Sequence, residues 1–256
     1  MHHRYSILAF SLVELSIVLV ILGLLIGGIL AGRSLIRASE LRAIGTEYTR
    51  YQTAAAAFKD KYFSIPGDMA IATKFWGKSA TDCNSHTGNV ATPGTCNGNG
   101  DGQIGYASGS AEMFRFWQQL ALAGLIEGTY DGLSSNGSAT DDGSDTTNSP
   151  ISKYQDALWA IVFATGGDST HFDMYYGHRL TVGGYSNSSS PPITRIFSAE
   201  ELWNIDTKLD DGMPGAGNII TWRYYDCTTA ANNTNFNATY NFTSIQKCNP
   251  IFRNFL

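Results

Sequence analysis

A single acidic residue, Glu14, sits inside an unbroken apolar run from Phe10 to Ala31, FSLVELSIVLVILGLLIGGILA. At 1.5 Å per residue a helix over that run reaches about 33 Å, enough to cross a hydrocarbon core of about 30 Å. A carboxylate near the bilayer centre costs roughly 2.5–3.5 kcal/mol, so Glu14 calls for a partner. Cleavage between Ala9 and Phe10 would create an α-amino group four residues before Glu14. Those two positions share a helix face. The amine can neutralise Glu14 within one chain, or pair with Glu14 of a neighbouring copy and set a register between copies. A secretory signal peptide is one alternative, but its apolar region of about 7–15 residues is shorter than this run. An uncleaved anchor is the other. Arg33 and Arg37 follow the span, so charge bias does not orient it.

Beyond the run the helical pattern continues. Leu41, Ile44, Tyr48, Tyr51, Ala55, Phe58 and Tyr62 recur at steps of three and four, one apolar stripe on a helix. Glu40, Arg42, Glu47, Arg50, Lys59, Asp60 and Lys61 fall mostly off that stripe, and Pro66-Gly67 marks its end. The spacing predicts one helix from Phe10 to about Phe63, near 80 Å long by its residue count. Its first half suits lipid or a filament core, and its second half suits a globular head. Packing copies of such helices buries apolar surface that would otherwise meet water.

The cysteines bear on the compartment. Cys83, Cys96, Cys227 and Cys248 make an even count in a chain that carries a membrane-length segment, which favours disulfides in an oxidising space. Of three pairings, the local ones, Cys83–Cys96 and Cys227–Cys248, are favoured because each closes a loop rich in Gly, Asn and Thr. No CxxC or HxxxH spacing points to zinc. Charged residues are only 15% of the chain, and with 27 glycines this suggests a loop-rich extracytoplasmic domain with enough aromatics to build a core. The net charge of −5 gives no global field that favours nucleic acid, and a nucleic-acid partner, open only through a local basic patch, is unsupported by the sequence.

The stretch Ala9-Phe10-Ser11-Leu12-Val13-Glu14 before the apolar run resembles the prepilin cleavage and methylation motif of type IV pilins and type II secretion pseudopilins. The resemblance implies a prepilin peptidase that cuts before Phe10, N-methylation of Phe10, and Glu14 as the assembly glutamate. It implies other pilin subunits and an inner-membrane assembly platform as partners. Residues 1–9 would be a leader peptide, 10–36 a transmembrane and filament-core helix, and 37–256 an extracytoplasmic head. The chain would be single-pass in the inner membrane with its head in the periplasm, then part of a pilus or pseudopilus. Two departures are visible: the family usually has Gly before the cut where this chain has Ala9, and no proline precedes Pro66.

Residues 64–256 read as α+β, with short periodic segments between long polar loops. The expected fold class is pilin-like, a very long N-terminal helix packed on an antiparallel sheet. A second helix is expected from about Ala111 to Ala123, stopped by Gly124. Strand-like runs are Leu158–Thr165, Phe172–Tyr176, Arg179–Val182 and Ile219–Tyr225. Ser198 and Glu201 have capping-box spacing and open a helix that carries Leu202, Ile205 and Leu209. Ser134–Pro150 and Tyr185–Pro192 read as mobile surface loops. Two patches also resemble pilin-type heads. One runs through Pro66-Gly67-Asp68, Trp76-Gly77, Asn97 to Gly102 and Ala123 to Ile126; the other is Ile205 to Gly212.

Candidate chemistry is sparse. Asn97, Asn99 and Asp101 stand at positions 1, 3 and 5 of an EF-hand-like pattern with Gly102 at position 6. Ser108 replaces the twelfth-position glutamate, and Glu112 is a more distant ligand. Calcium is therefore a candidate, weighed against an Asn/Gly turn, and no cofactor is required. Asp206, Asp210 and Asp211 read either as an oxygen-rich site or, preferably, as residues that finish a helix and shape a turn. His171, Asp173 and Ser169 invite a triad, but no GxSxG elbow or phosphate-binding loop accompanies them. The expectation is a non-enzymatic filament subunit. The alternatives are a membrane-tethered binding module that does not polymerise and a tethered hydrolase.

Overall fold

The computed structural model describes residues 12–79, 94–105, 112–133, 146–166, 170–185, 194–223, 227–243 and 248–256. A boundary between Glu40 and Leu41 divides the chain into two units. Helix α1, Leu12–Tyr62, runs through the boundary. Phe10, where the helix was expected to begin, lies outside the described residues.

In the first unit every described residue is helical. Ser16 and Ser34 turn their hydroxyls back onto the Val13 and Ala31 carbonyls at 2.8 and 2.9 Å, which satisfies them inside the helix. Arg37 and Glu40 pair at 3.3 Å one turn apart. Among the described residues, α1 is the one helix long and apolar enough to cross a membrane.

The second unit, Leu41–Leu256, is α+β. Its four-stranded antiparallel sheet comprises β1 (Leu158–Ala164), β2 (Gly177–Gly183), β3 (Ile219–Thr221) and β4 (Pro250–Phe252), in the order β1-β2-β4-β3. Short α2 (Thr73–Trp76), α3 (Glu112–Leu122) and α4 (Ala199–Leu209) complete it. Alternation along the short strands divides the core. Ile219 and Phe252 join the main cluster, while their neighbours Ile220 and Ile251 join a smaller one with Tyr176. Helix α4 opens as its sequence indicates: Ser198 accepts from the Glu201 amide at 3.2 Å, and the Glu201 carboxylate accepts from the Ser198 amide at 2.8 Å.

The main core gathers around Tyr51 of α1. Its ring meets Trp117 of α3 edge-on at 5.0 Å and Trp159 of β1 at 5.6 Å. The stripe that faces this core is Ile44, Tyr51, Ala54, Ala55 and Phe58, and it also contains Glu47. Sequence reading groups Glu47 with charged residues that fall mostly off the stripe, but it stands three residues after Ile44 and four before Tyr51, and the structure buries it to 7% exposure. Its carboxylate accepts from the buried Trp159 Nε1 at 2.9 Å and from the part-buried Lys153 amide at 3.0 Å, and these two donors compensate its desolvation.

Several expectations need correction. Phe172–Tyr176 is not a strand: the Met174 amide returns to the Phe172 carbonyl at 3.0 Å, as does the Tyr176 hydroxyl at 2.8 Å. Its aromatics report burial, not sheet pairing. β3 stops at Thr221, short of the expected Tyr225, which lies outside the described residues. Asn148, Ser149 and Pro150 are buried, not part of a surface loop, and Asn148 Nδ2 donates to the Leu133 carbonyl at 2.9 Å. Residues 134–145 and 186–193 lie outside the described residues. Cys227 and Cys248 are bonded, with Cα atoms 5.6 Å apart, a crosslink worth about 3 kcal/mol for a loop of this size. Cys96 is also disulfide-bonded, while its expected partner Cys83 lies outside the described residues.

Glu47→Ala would leave the buried Trp159 indole N–H without an acceptor and remove the partner of the Lys153 amide. The expected loss is about 2–4 kcal/mol in urea unfolding of the detergent-solubilised chain, with Glu47→Gln costing less.

Candidate functional site

Three places carry the residues that sequence reasoning singled out. The first is the exposed face of α1. From Leu12 to Ile36, sixteen large apolar side chains are between 47% and 84% exposed. Removing such a side chain from water gains about 1 kcal/mol at half burial. Summed, that rivals the 5–15 kcal/mol that holds a whole domain together, so the surface has to be covered by lipid or protein. Glu14 lies in the first turn of this segment. Ala9 and Phe10, the expected cleavage pair, lie outside the described residues.

The second is the loop 97–105. Backbone amides, not carbonyls, converge there on carboxylates. Asp68, 3% exposed, accepts from the amides of Gly100 at 2.6 Å, Asp101 at 3.2 Å and Gly102 at 2.8 Å. Gly100 and Gly102 have φ of 76° and 82°, the conformation that turns their amides inward. Glu112, at the start of α3, accepts from Asn99 at 2.9 Å and Gly105 at 3.0 Å. Burial pushes both carboxyls above their usual range, and the amide bonds oppose that shift. The structure thus brings Asn99, Asp101 and Glu112 to one loop. Asn97 turns instead to α2, where its Oδ1 accepts from the Thr73 amide at 2.9 Å. Buried Arg115 donates to the Asn97 carbonyl at 2.9 Å, and burial lowers its pKa to about 10.

Asp68 and His178 escaped sequence reasoning as partners of this loop. His178 on β2 accepts from the Ile104 amide at 3.2 Å through Nε2, a role that needs the neutral ring. Burial, helped by the charge of Lys59, lowers its pKa to about 4 and keeps it neutral. No local pattern announces a contact 74 residues away.

The third is the end of α4. Asp206 is fully buried and accepts from the Tyr240 hydroxyl at 2.8 Å and the Gly212 amide at 3.1 Å. Asp210 accepts from the Asn218 and Ile219 amides at 2.5 and 2.9 Å, and Asp211 from the Met213 amide at 2.8 Å. These carboxylates finish a helix and shape the turn into β3. One oxygen from each of the three lies within 4.8 Å of the others, so the turn also concentrates negative charge. Burial, followed by the neighbouring acidic groups, raises the Asp206 pKa to about 7; the Tyr240 hydrogen bond opposes the shift.

His171 keeps Nε2 on Arg179 Nη1 at 2.8 Å and Nδ1 on the Thr170 hydroxyl at 2.9 Å. Asp173 packs through its backbone, its amide on the Asn233 carbonyl at 2.8 Å. Ser169 lies outside the described residues. These contacts place the ring in a structural cluster with Trp222, 4.1 Å between centroids.

No protein-family model, curated protein or solved structure matches this chain.

Asp206 predicts a pH dependence. Its folded pKa of about 7 exceeds the unfolded value of 3.8, so the folded form holds the proton more tightly. The contribution is complete below about pH 4 and is lost as pH rises to about 7, by up to about 1.4 kcal/mol per pH unit. Asp206→Asn should flatten that slope in urea unfolding between pH 4 and 8.

Proposed function

We propose that this chain is a structural subunit of a type IV pilus or a type II secretion pseudopilus, processed before Phe10 and assembled through its N-terminal helix. The observation that carries this reading is one acidic residue, Glu14, four positions after the Ala9–Phe10 junction, inside an apolar helix whose side chains are exposed along its length. Cleavage supplies the α-amine that neutralises Glu14, in the same copy or in the next. The head, Leu41–Leu256, supports the reading because it is a separate compact unit with its own core. An inner-membrane platform and a prepilin peptidase are the partners that this reading requires.

A calcium ion on Asn99, Asp101 and Glu112 is a separate proposal for the head. Calorimetric titration of calcium that stays flat past millimolar ion removes it.

Glu14→Ala tests the assembly role. In a bacterium with a pilus or pseudopilus machine, filament yield by electron microscopy should fall by roughly tenfold or more, the equivalent of about 1.4 kcal/mol per contact. The urea midpoint of the head should stay unchanged. Filaments at the unsubstituted level would leave the membrane-tethered binding module as the better reading.

A further inference from the structure

The end of α1 and the turn into α2 carry exposed aromatic side chains among lysines. Tyr62 meets Phe75 edge-on at 5.2 Å between ring centroids and lies 5.2 Å from Trp76. Phe75 is still 53% exposed, and Ile71, four residues before it, is 45% exposed. Phe63 projects furthest, at 93% exposure. Its amide closes α1 on the Lys59 carbonyl at 2.8 Å, and its φ of 51° is the left-handed conformation that glycine favours at a helix end. A phenylalanine at that position contributes no burial and holds a disfavoured backbone, so the fold alone does not account for it.

Positive charge gathers around these side chains. Lys59, Lys61, Lys74 and Lys78 fall within 20 residues of a chain whose net charge is −5. All four are exposed, and among the described residues none forms a salt bridge. The acids of the same stretch are Asp60 and Asp68, and Asp68 is buried under three amides. Lys59 is offset by Asp101, since both charges act on His178, which leaves Lys61, Lys74 and Lys78 to define the patch.

A projecting apolar side chain among cations suits a deformable medium, which needs no pocket of complementary shape. At a bilayer surface the rings enter the boundary between headgroups and acyl chains, while the ammonium groups meet anionic headgroups. Stacking on the bases of a single-stranded nucleic acid is the other use of rings and lysines together. The geometry favours lipid over that use. Tyr62 is already engaged by the Lys61 ammonium, 5.1 Å from its ring centroid, and by Phe75 and Trp76. An exposed isoleucine gains from an acyl layer and offers no face to a base.

We propose that Phe63, Ile71 and Phe75, with Lys61, Lys74 and Lys78, form a docking surface for an anionic lipid bilayer. It is a membrane contact made by residues other than the apolar run of α1, and it does not depend on the filament reading.

Flotation of the full-length protein, held in phosphatidylcholine nanodiscs and mixed with vesicles, tests this. The protein should float with vesicles of equal parts phosphatidylglycerol and phosphatidylcholine, and at least about tenfold less with vesicles of phosphatidylcholine alone. Phe63→Gly should weaken binding to the anionic vesicles at least about fivefold without lowering the urea midpoint of the head, because glycine suits that backbone. Lys61→Glu combined with Lys74→Glu should weaken it at least about tenfold, whereas Lys153→Glu, an exposed lysine outside the patch, should not. Failure of the unsubstituted protein to float, equal binding to both kinds of vesicle, or binding that survives both patch variants overturns the proposal. Binding of single-stranded oligo-dT that the patch variants remove, without flotation on anionic vesicles, also overturns it and assigns the surface to nucleic acid.

Discussion

Water cannot be the resting environment of the first part of α1. Sixteen large apolar side chains from Leu12 to Ile36 stand at least 47% exposed, and their combined transfer free energy is of the order of a domain's net stability. Lipid covers such a surface, and so does a bundle of identical helices. Glu14 discriminates between these settings. In lipid a carboxylate is a cost, whereas next to a newly formed α-amine it becomes a polar contact with a defined position. On the proposed reading, that one residue gives an otherwise featureless apolar rod a preferred register.

The second unit has a core of its own, and the later part of α1 belongs to it. Its core closes around Tyr51, where rings from α1, α3 and β1 meet, and Glu47 beside it ties α1 to Trp159 and to the Lys153 amide. Long irregular segments are held by carboxylates that collect amides: Asp68 and Glu112 for 97–105, Asp210 for the turn into β3. A chain this rich in Gly and Asn gains local order in that way where regular secondary structure is scarce. The disulfide between Cys227 and Cys248 adds a covalent version of the same device near the C-terminus.

Periodicity made the helices legible. The steps of three and four after Leu41 mark α1, and Ser198 with Glu201 marks the start of α4, because both signals are local. The sheet was legible only in part. β1 is a continuous apolar run of seven residues, but β4 is three residues that begin with a proline, and its identity comes from pairing with β2 and β3. Phe172–Tyr176 carries strand composition, yet its burial is satisfied by turns. Glu47 and Asp68 look like surface acids until distant amides and an indole are brought to them.

Processing at Phe10 is the step on which Glu14's role turns, and the mass of the mature protein reads it directly. Protein isolated from the membranes or filaments of a bacterium that carries a prepilin peptidase should have the mass of residues 10–256 plus one methyl group, with its N-terminal peptide beginning at N-methyl-Phe10. A chain that retains residues 1–9, or one that starts elsewhere than Phe10, would contradict the account and leave an ordinary tethered ectodomain.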